Sequence, residues 1–545
     1  MTNPQAAQGM LTEQAPCDFD IVIVGAGPVG LTLANYFGRE GLRTLLVEQL
    51  DELIDYPRGV GLDDESLRVF QGLGLASQVR HHTVPDHAVH WVTSNGDVLA
   101  SVKPREQIYG WPRRNGFIQP LVDRVLFKGL ERYPGVEVRL GTTVEDVQES
   151  ESLVNVRMMD SRGTESNLTA SFVIGCDGGK SLVRKKMGVE FLGNTESTQW
   201  IVVDIADDPI GTPSVFAVCD SRFPHISVGL PGGVRRFEFM VPKTETEESL
   251  KSSGEIEKNI QKVLGNVPQL NIIRSRVYTH HARVASRFRR NRLILAGDAA
   301  HLMPVWQGQG YNTGIRDAAN LGWKLSAVVR GTCDAGLLDT YDEERRPHAT
   351  AMVKVSEAAG RLLVPKTRLH SLLRHGTFLL AQKIPPLRRY MTEMKYKPMP
   401  YFRSGAVVNT QGNNERSPVG KLMIQPKVAN AQGEVMLLDD LLGPGFALIC
   451  WGSWSGRYLD EKGEAILRNL GARHLVCMPE CQHIPASGGT GLPMVLDHEG
   501  KLQEWFDLCG CSTVLVRPDR TVALSCRSMD LSERLRSFAH AVHMS

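Results

Sequence analysis

Residues 19–24, "FDIVIV", form a short apolar run rich in β-branched residues that stops at Gly25. A run of this length bounded by glycine predicts a buried parallel strand. From Pro28 to Arg39 the apolar positions recur at helical spacing and end at Gly41, and Leu42 to Glu48 is again strand-like. Strand, glycine turn, helix and strand in that order predict the first half of a doubly wound sheet. The pattern returns at Ala170–Gly188, an apolar strand running into a glycine turn and a basic helix.

Between Gln199 and Pro242 the period shortens to two. "QWIVVDIADD", "SVFAVCD", "HISVGL" and "VRRFEFMVP" are short strands parted by proline and glycine turns, which predicts an inserted antiparallel sheet. Arg292–Ala296 returns to the α/β pattern, with helices expected over Ile315–Val329 and Asp339–Ala359. Strands and helices alternate again from Leu437 to about Leu524. The expected fold class is α/β, in five segments. Residues 17–195 and 286–365 form a Rossmann-like dinucleotide-binding domain in two parts, and 196–285 an antiparallel-sheet substrate domain. Residues 366–420 form a helical connector and 421–545 a second, small α/β domain.

Composition excludes several classes. Against 62 basic residues stand 60 acidic ones, a net charge of +2 with no basic stripe, so no nucleic-acid partner is expected. Ten cysteines are dispersed without a C-x-x-C, as in a reduced, cytoplasmic enzyme. The first eighteen residues are polar and do not read as a signal peptide. The most apolar stretch, Ile21–Phe37, is broken by Gly25, Gly27, Pro28 and Gly30, so no membrane span is expected.

The chemistry starts at Gly25-Ala26-Gly27-Pro28-Val29-Gly30, a G-x-G-x-x-G between a strand and a helix. The first glycine makes the turn, the second admits a pyrophosphate, and the third packs helix on strand. Glu48, followed by Gln49, ends the next strand at the distance of an acid that grips ribose hydroxyls. On these residues alone, NAD and FAD both remain open.

Two distant blocks decide between them. Cys176-Asp177-Gly178-Gly179-Lys180-Ser181 with Arg184 resembles the "DG" motif of the class A flavoprotein aromatic hydroxylases, the phenol-hydroxylase-type FAD monooxygenases. Gly297-Asp298-Ala299-Ala300-His301, with Pro304, Gly308, Gly310, Asn312, Gly314 and Asp317, resembles that family's "GD" motif and its continuation. The blocks stand in the family's order and spacing over roughly the first 360 residues. The resemblance implies FAD as cofactor, with Asp177 organising the flavin and nicotinamide sites and Asp298 on the ribityl chain. Arg58 in "DYPRG" and Gln119 in "GFIQPLVD" match positions that hold the pyrophosphate and the flavin side. Backbone N–H groups near Gly310, Tyr311 and Asn312, beside a helix expected to start at about Thr313, suit negative charge on a reduced flavin. Longer stretches, among them "GWPRRNGFIQP" and "AGDAAHLMPVWQGQGYNTG", resemble members that act on phenolic acids.

The resemblance also implies NADH (or NADPH) and O2 as co-substrates and a flavin C4a-hydroperoxide that hydroxylates a phenol ortho to its hydroxyl, giving a catechol. With one strand-anchored fingerprint, the nicotinamide would bind transiently. Larger members append a thioredoxin-like domain. Here it lacks C-x-x-C, implying a structural or oligomerising role that leaves room for a homo-oligomer. Tyr56, His225 and Tyr311 are candidates for phenol deprotonation, with no preference among them. Arg222, Arg235 and Arg236 are candidate anchors for a substrate carboxylate, and strand alternation puts the last two on opposite faces. Trp306 is a candidate pocket wall. No metal site is expected. Another phenol as substrate, or a flavin-binding module without turnover, remain alternatives.

Overall fold

The computed structural model describes residues 17–56, 58–220, 223–241, 253–265, 270–363, 368–409, 416–482 and 493–544. Strand β1 (Phe19–Val24) runs parallel between β2 (Thr44–Val47) and the second half of Glu165–Gly175. The parallel sheet continues through Leu293–Leu295 on one side and Val136–Arg139 on the other. Helix α1 (Pro28–Arg39) follows β1, and all but its first residue and Arg39 are buried, as a crossover packed on a parallel sheet requires. The sequence blocks therefore end on neighbouring strands: Val24 pairs with Gly175, and Gly175 with Leu295.

A second eight-stranded sheet stands beside it, in the order His301–Leu302, Ile272–Ala285, Phe191–Ile205, Val234–Met240, His225–Leu230, Val215–Val218, Val89–Val92, Val98–Val102. Residues 89–102, expected in the dinucleotide-binding part, belong instead to this sheet, where Val89–Val92 lies parallel to Val215–Val218. Its short, half-polar strands carried no motif to separate them from the surrounding α/β pattern. One face bears Ile201, Val203, Ile205, Phe237 and Phe239, covered by Ile256 and Ile260 of the helix Ser253–Leu264. The opposite face, with Trp200, Glu238, Ile226 and Val228, turns toward the first domain. A small sheet of Gly61–Asp63, Arg114–Phe117 and Thr83–Pro85, absent from the sequence reading, lies near the junction.

Two long helices close the first domain, α2 (Gly310–Val329) and α3 (Asp339–Leu363). Helix α2 starts three residues before the expected Thr313, because glycines at 310 and 314 tolerate the helical backbone that their propensity disfavours. In the connector, helices Arg368–Lys383 and Pro385–Thr392 give way to irregular chain past Pro398 and Pro400. The C-terminal sheet has seven strands, with Ala447–Trp451, Arg473–Pro479 and Met494–Asp497 parallel at its centre. Leu467, Leu535 and Phe538 cover one face, and Leu502 and Phe506 the other. Trp323 of α2 reaches into the first of these layers, its ring 5.4 Å from that of Phe446.

Candidate active site

The glycine turn after β1 is shaped by the block that follows the neighbouring strand. Gly25 has φ of 106°, and a Cβ there would lie 2.5 Å from the Cys176 carbonyl oxygen. A Cβ on Gly30 would fall 2.0 Å from the Gly25 carbonyl. Gly27 differs: nothing lies within 4 Å of its missing side chain. It caps α1 without a side-chain hydrogen bond, with Pro28 at the first helical position, so the first N–H groups of α1 keep their donors free. Glu48 braces the turn, its Oε2 accepting from Ala26 N at 2.8 Å and its Oε1 from Leu50 N at 3.1 Å. Gln49 beside it is exposed. A bare glycine at an uncapped helix start, with a carboxylate at the next strand end, fits a dinucleotide phosphate and ribose.

The third block closes on the first. Gly297, at φ of 63°, and Gly314 both abut the Val29 side chain. Asp317, fully buried on α2, organises this loop: it accepts from Gly297 N at 3.0 Å, His301 Nε2 at 2.6 Å and Arg345 Nε at 2.9 Å. His301 and Arg345 hold its carboxyl below the usual range against the opposing pull of burial. His301 is thereby committed to the loop, and residues 301–302 pair with Arg283 and Val284 of the second sheet. Asp298 stays exposed, although the protein packed around it pushes its carboxyl pKa upward against the pull of His301 and Arg58.

Other expected cofactor residues act through their neighbours. Asp177 Oδ2 accepts from Leu182 N at 2.6 Å and Val183 N at 3.3 Å, so its carboxylate caps the short helix Leu182–Met187. Its buried Oδ1 has no partner. Gln119 Oε1 accepts from Arg58 N at 3.2 Å and Gly59 N at 2.8 Å, fixing the loop from which the exposed Arg58 extends. Asn312 spends its side chain on structure: Oδ1 accepts from Asp63 N and Ser66 Oγ, and Nδ2 donates to the carbonyls of Gly61 and Gly308. Pro304 precedes the turn Val305–Gln307, which Gly308 ends at φ of 61°, and Gly310 opens α2 with no side-chain cap.

Beyond Gly308 lies a pocket enclosing about 810 Å³ of non-protein space up to its mouth. The second sheet supplies Val89, Trp91, Ile226 and Val228, and the loop supplies Val305, Trp306 and Gln307. Volume and apolar lining suit a small aromatic ring. Trp306 is both wall and packing element, its ring 4.8 Å from Trp200 and 4.6 Å from His280. The polar groups on the wall are His87, Arg114, Glu238, Gln307 and Tyr396. Glu238 accepts from Tyr278 OH at 3.0 Å, and His87 holds the Gly229 carbonyl at 2.9 Å through Nε2. Burial and the nearby arginines lower the His87 pKa to about 4, leaving the ring neutral.

Several sequence candidates are corrected. His225 alternates with the pocket-facing Ile226 and points to the other side of the sheet, against Phe223 and Phe239. Tyr311 turns its hydroxyl toward Asp123, at 3.4 Å, and burial raises its pKa well above the ordinary value, which unfits it as a base. Tyr56 lies outside the pocket lining, with Arg276 3.9 Å and Arg58 5.6 Å above its ring. Arg235 and Arg236 do face opposite sides, but neither is available: Arg235 is bound to Asp208 and Arg236 to Asp204. Arg222 lies outside the described residues. Sequence reading missed His87, Arg114, Glu238 and Tyr396, which sit in a loop, two strands and the connector with no chemical pattern of their own. Asp63, Asp64 and Glu65 bring three carboxylates together, but Arg316 and Lys397 pair with Asp63 and Glu65, and Arg113 approaches Asp64 at 4.0 Å.

No helix among the described residues is long and apolar enough to cross a membrane. The FAD binding domain family matches residues 18–356, and the HcaD C-terminal domain family residues 420–541. A 3-(3-hydroxy-phenyl)propionate/3-hydroxycinnamic acid hydroxylase of Mycolicibacterium gilvum is 46% identical over 97% of this chain and 93% of its own. Its counterpart in Escherichia coli O81 is 46% identical over 95% of this chain and 94% of its own. Among solved structures, the flavin-dependent monooxygenase PieE in complex with FAD and substrate is similar with a TM-score of 0.79, at 21% identity, covering 97% of this chain and 100% of that one. Aklavinone-11 hydroxylase with FAD and aklavinone is similar at 0.78, with 22% identity and coverages of 97% and 99%. These two likenesses describe the fold.

Proposed function

The chain belongs to the FAD binding domain family and is an FAD-dependent hydroxylase, and from that premise we propose that it hydroxylates 3-(3-hydroxyphenyl)propionate and 3-hydroxycinnamate to their 2,3-dihydroxy products. The observation that carries this reading is the apolar pocket that opens onto Gly308 and offers a small set of polar groups to a phenolic acid. The identity of nearly half with hydroxylases of those acids along almost the whole chain supports it.

FAD, when bound, would supply the activation of O2 after reduction by NADH or NADPH. The chain's part is binding, orientation and exclusion of water. Gly25, Gly27 and Gly30 with the start of α1 would take the pyrophosphate, Glu48 the adenosine ribose, and Asp298 the ribityl chain. Arg58, placed by Gln119, would face the cofactor from the opposite loop, and the N–H groups at Gly310–Asn312 the ring. Asp177 would serve by holding the adjoining helix turn. Val60, Trp91, Ile226 and Trp306 would clamp the substrate ring and keep water from the reacting edge. The free, dispersed cysteines and a bacterial metabolic role of the relatives favour work in the cytoplasm.

The test is oxygen uptake matched to NADH oxidation by the FAD-loaded protein over a panel of phenols, with product identified. Stoichiometric catechol from 3-(3-hydroxyphenyl)propionate is expected. Peroxide without catechol from this acid, with coupled turnover of 3-hydroxyphenylacetate or resorcinol, would reassign the substrate.

A further inference from the structure

We propose that Arg114 binds the carboxylate of the phenolic acid and thereby sets which ring carbon meets the cofactor. This deepens the reading given above and rests on it. Arg114 opens the central strand of the small three-stranded sheet and lines the pocket beside Gly61 and Gly308. Its Nε donates to the His87 carbonyl at 3.1 Å, which aims the guanidinium while the guanidinium keeps its other donors. No described carboxylate lies within ion-pair distance of it. Its neighbour Arg113 instead approaches Asp64 at 4.0 Å and donates to the Glu393 carbonyl at 2.8 Å. Arg235 and Arg236, two arginines that the sequence offered as anchors, are already bound to aspartates. Arg114 is therefore the pocket-lining arginine with no direct ion pair: its cross-strand neighbour Asp63 acts on it only at a distance and is itself paired with Arg316 and Lys397.

A guanidinium that shares its pocket with Val60, Val89, Val102 and Val228 is poorly solvated, and burial lowers its pKa. A carboxylate arriving there gains a charge-assisted, two-pronged partner and relieves that cost. Tyr396 lines the same pocket, and its hydroxyl feels the Arg114 charge, so it supplies a second donor for the same anion.

The position also explains regiochemistry. A Cβ on Gly61 would lie 4.0 Å both from Arg114 Nη2 and from the Gly308 carbonyl, so the guanidinium stands at the cofactor end of the pocket. In 3-(3-hydroxyphenyl)propionate the carbon to be hydroxylated is flanked by the phenol carbon and by the carbon bearing the side chain. The carboxylate is four bonds from it. An anchor at the cofactor end thus holds the target carbon toward the reacting edge, whereas an anchor at the far end would present the opposite side of the ring.

The experiment compares Arg114→Met, Arg114→Gln and Arg114→Lys in the FAD-loaded enzyme by anaerobic titration of the flavin spectrum. The ligands are 3-(3-hydroxyphenyl)propionate, its neutral primary amide and 3-ethylphenol. Arg114→Met and Arg114→Gln should weaken the acid about 10- to 100-fold, the loss expected for a hydrogen-bonded charge. The amide and 3-ethylphenol should change less than about threefold, and Arg114→Lys should restore part of the affinity as a point charge. Equal weakening of all three ligands would place Arg114 at the phenol oxygen or in the fold and overturn the proposal, as would an unchanged acid. Wild-type enzyme that neither binds nor hydroxylates the acid would instead sink the substrate reading.

Discussion

Val29 presses its Cγ2 methyl into the space that Gly314 leaves bare: a Cβ on Gly314 would sit 2.6 Å from it, and one on Gly297 2.7 Å. A residue of the first motif is thus the template for two glycines of the last, which fixes the Asp298 loop against the start of α1. Gly314→Ala forces an overlap in a packed interior, a change that costs about 1–3 kcal/mol. The variant should lose stability and retain less flavin after gel filtration. Adding Val29→Ala removes the obstructing methyls, so the double variant should recover most of both. A double variant as poor as Gly314→Ala alone would show that this contact does not set the loop.

Gly27 and Gly30 should behave in opposite ways. At Gly30 an added methyl meets the Gly25 carbonyl at 2.0 Å, within the turn itself, so Gly30→Ala should damage the apoprotein. At Gly27 φ is −73° and no atom lies within 4 Å, so Gly27→Ala should leave apoprotein unfolding within about 0.5 kcal/mol of wild type. Its FAD affinity should still fall about tenfold or more, because the methyl occupies the space a pyrophosphate needs. Fluorescence titration of apoprotein with FAD, beside urea unfolding, separates the two effects. Unchanged affinity in Gly27→Ala would remove the turn from the cofactor site.

What the sequence revealed follows from what the motifs are. Glycine positions are legible because a backbone that must turn or be approached closely tolerates nothing else: Gly25 answers to Cys176, and Gly297 to Val29. The substrate pocket lacks that constraint. Arg114 looks in the sequence like Arg113, and only the fold turns one toward Asp64 and the other toward the pocket. Arg235 and Arg236 were attractive as candidates because alternation predicts their faces, but it says nothing of Asp208 and Asp204, which meet them from elsewhere in the fold. Residues 89–102 escaped the substrate sheet for a similar reason, since their neighbour in it is Val215–Val218, more than a hundred positions on.

Asp123 gives a pH dependence with a definite sign. Buried beneath Tyr311 and accepting from Gln119 Nε2 at 3.0 Å, its carboxyl is pushed by burial from 3.8 up to about 7. A raised acid pKa means that the fold prefers the proton, so this contribution is complete below about pH 4 and is lost as pH rises through about 7. Asp123→Asn keeps the shape without the charge. It should match wild type near about pH 4 and exceed it by ~1–3 kcal/mol at about pH 8, as measured by urea unfolding of apoprotein. A constant difference across that range would mean that the carboxyl ionises there without penalty.

Glu344 and Arg345, neighbours on α3, divide their work between the two ends of the molecule. Arg345 reaches Asp317, which holds the Asp298 loop, while Glu344 accepts from Lys324 Nζ at 2.9 Å, Arg517 Nη1 at 2.8 Å and Ala406 N at 2.8 Å. Arg517 belongs to the C-terminal domain and is fully buried, so Glu344 is a charge at the domain junction whose removal strands Lys324 and leaves Arg517 with Asp519 alone. Breaking a buried pair on one side costs about 3–5 kcal/mol. Glu344→Gln should therefore lower the unfolding free energy by that order at neutral pH, with the C-terminal domain melting first. Against the opposing pull of burial, Arg517 and Lys324 hold the Glu344 carboxyl down to about 2 from its ordinary 4.5. The stabilisation is therefore present above about pH 4.5 and is lost as pH falls through about 2, where wild type and variant should converge. Because Arg345 keeps its own contacts, flavin content at neutral pH should stay near wild type. Parallel loss of flavin and of C-terminal stability in Glu344→Gln would show that the contacts of Glu344 and of Arg345 act as one unit.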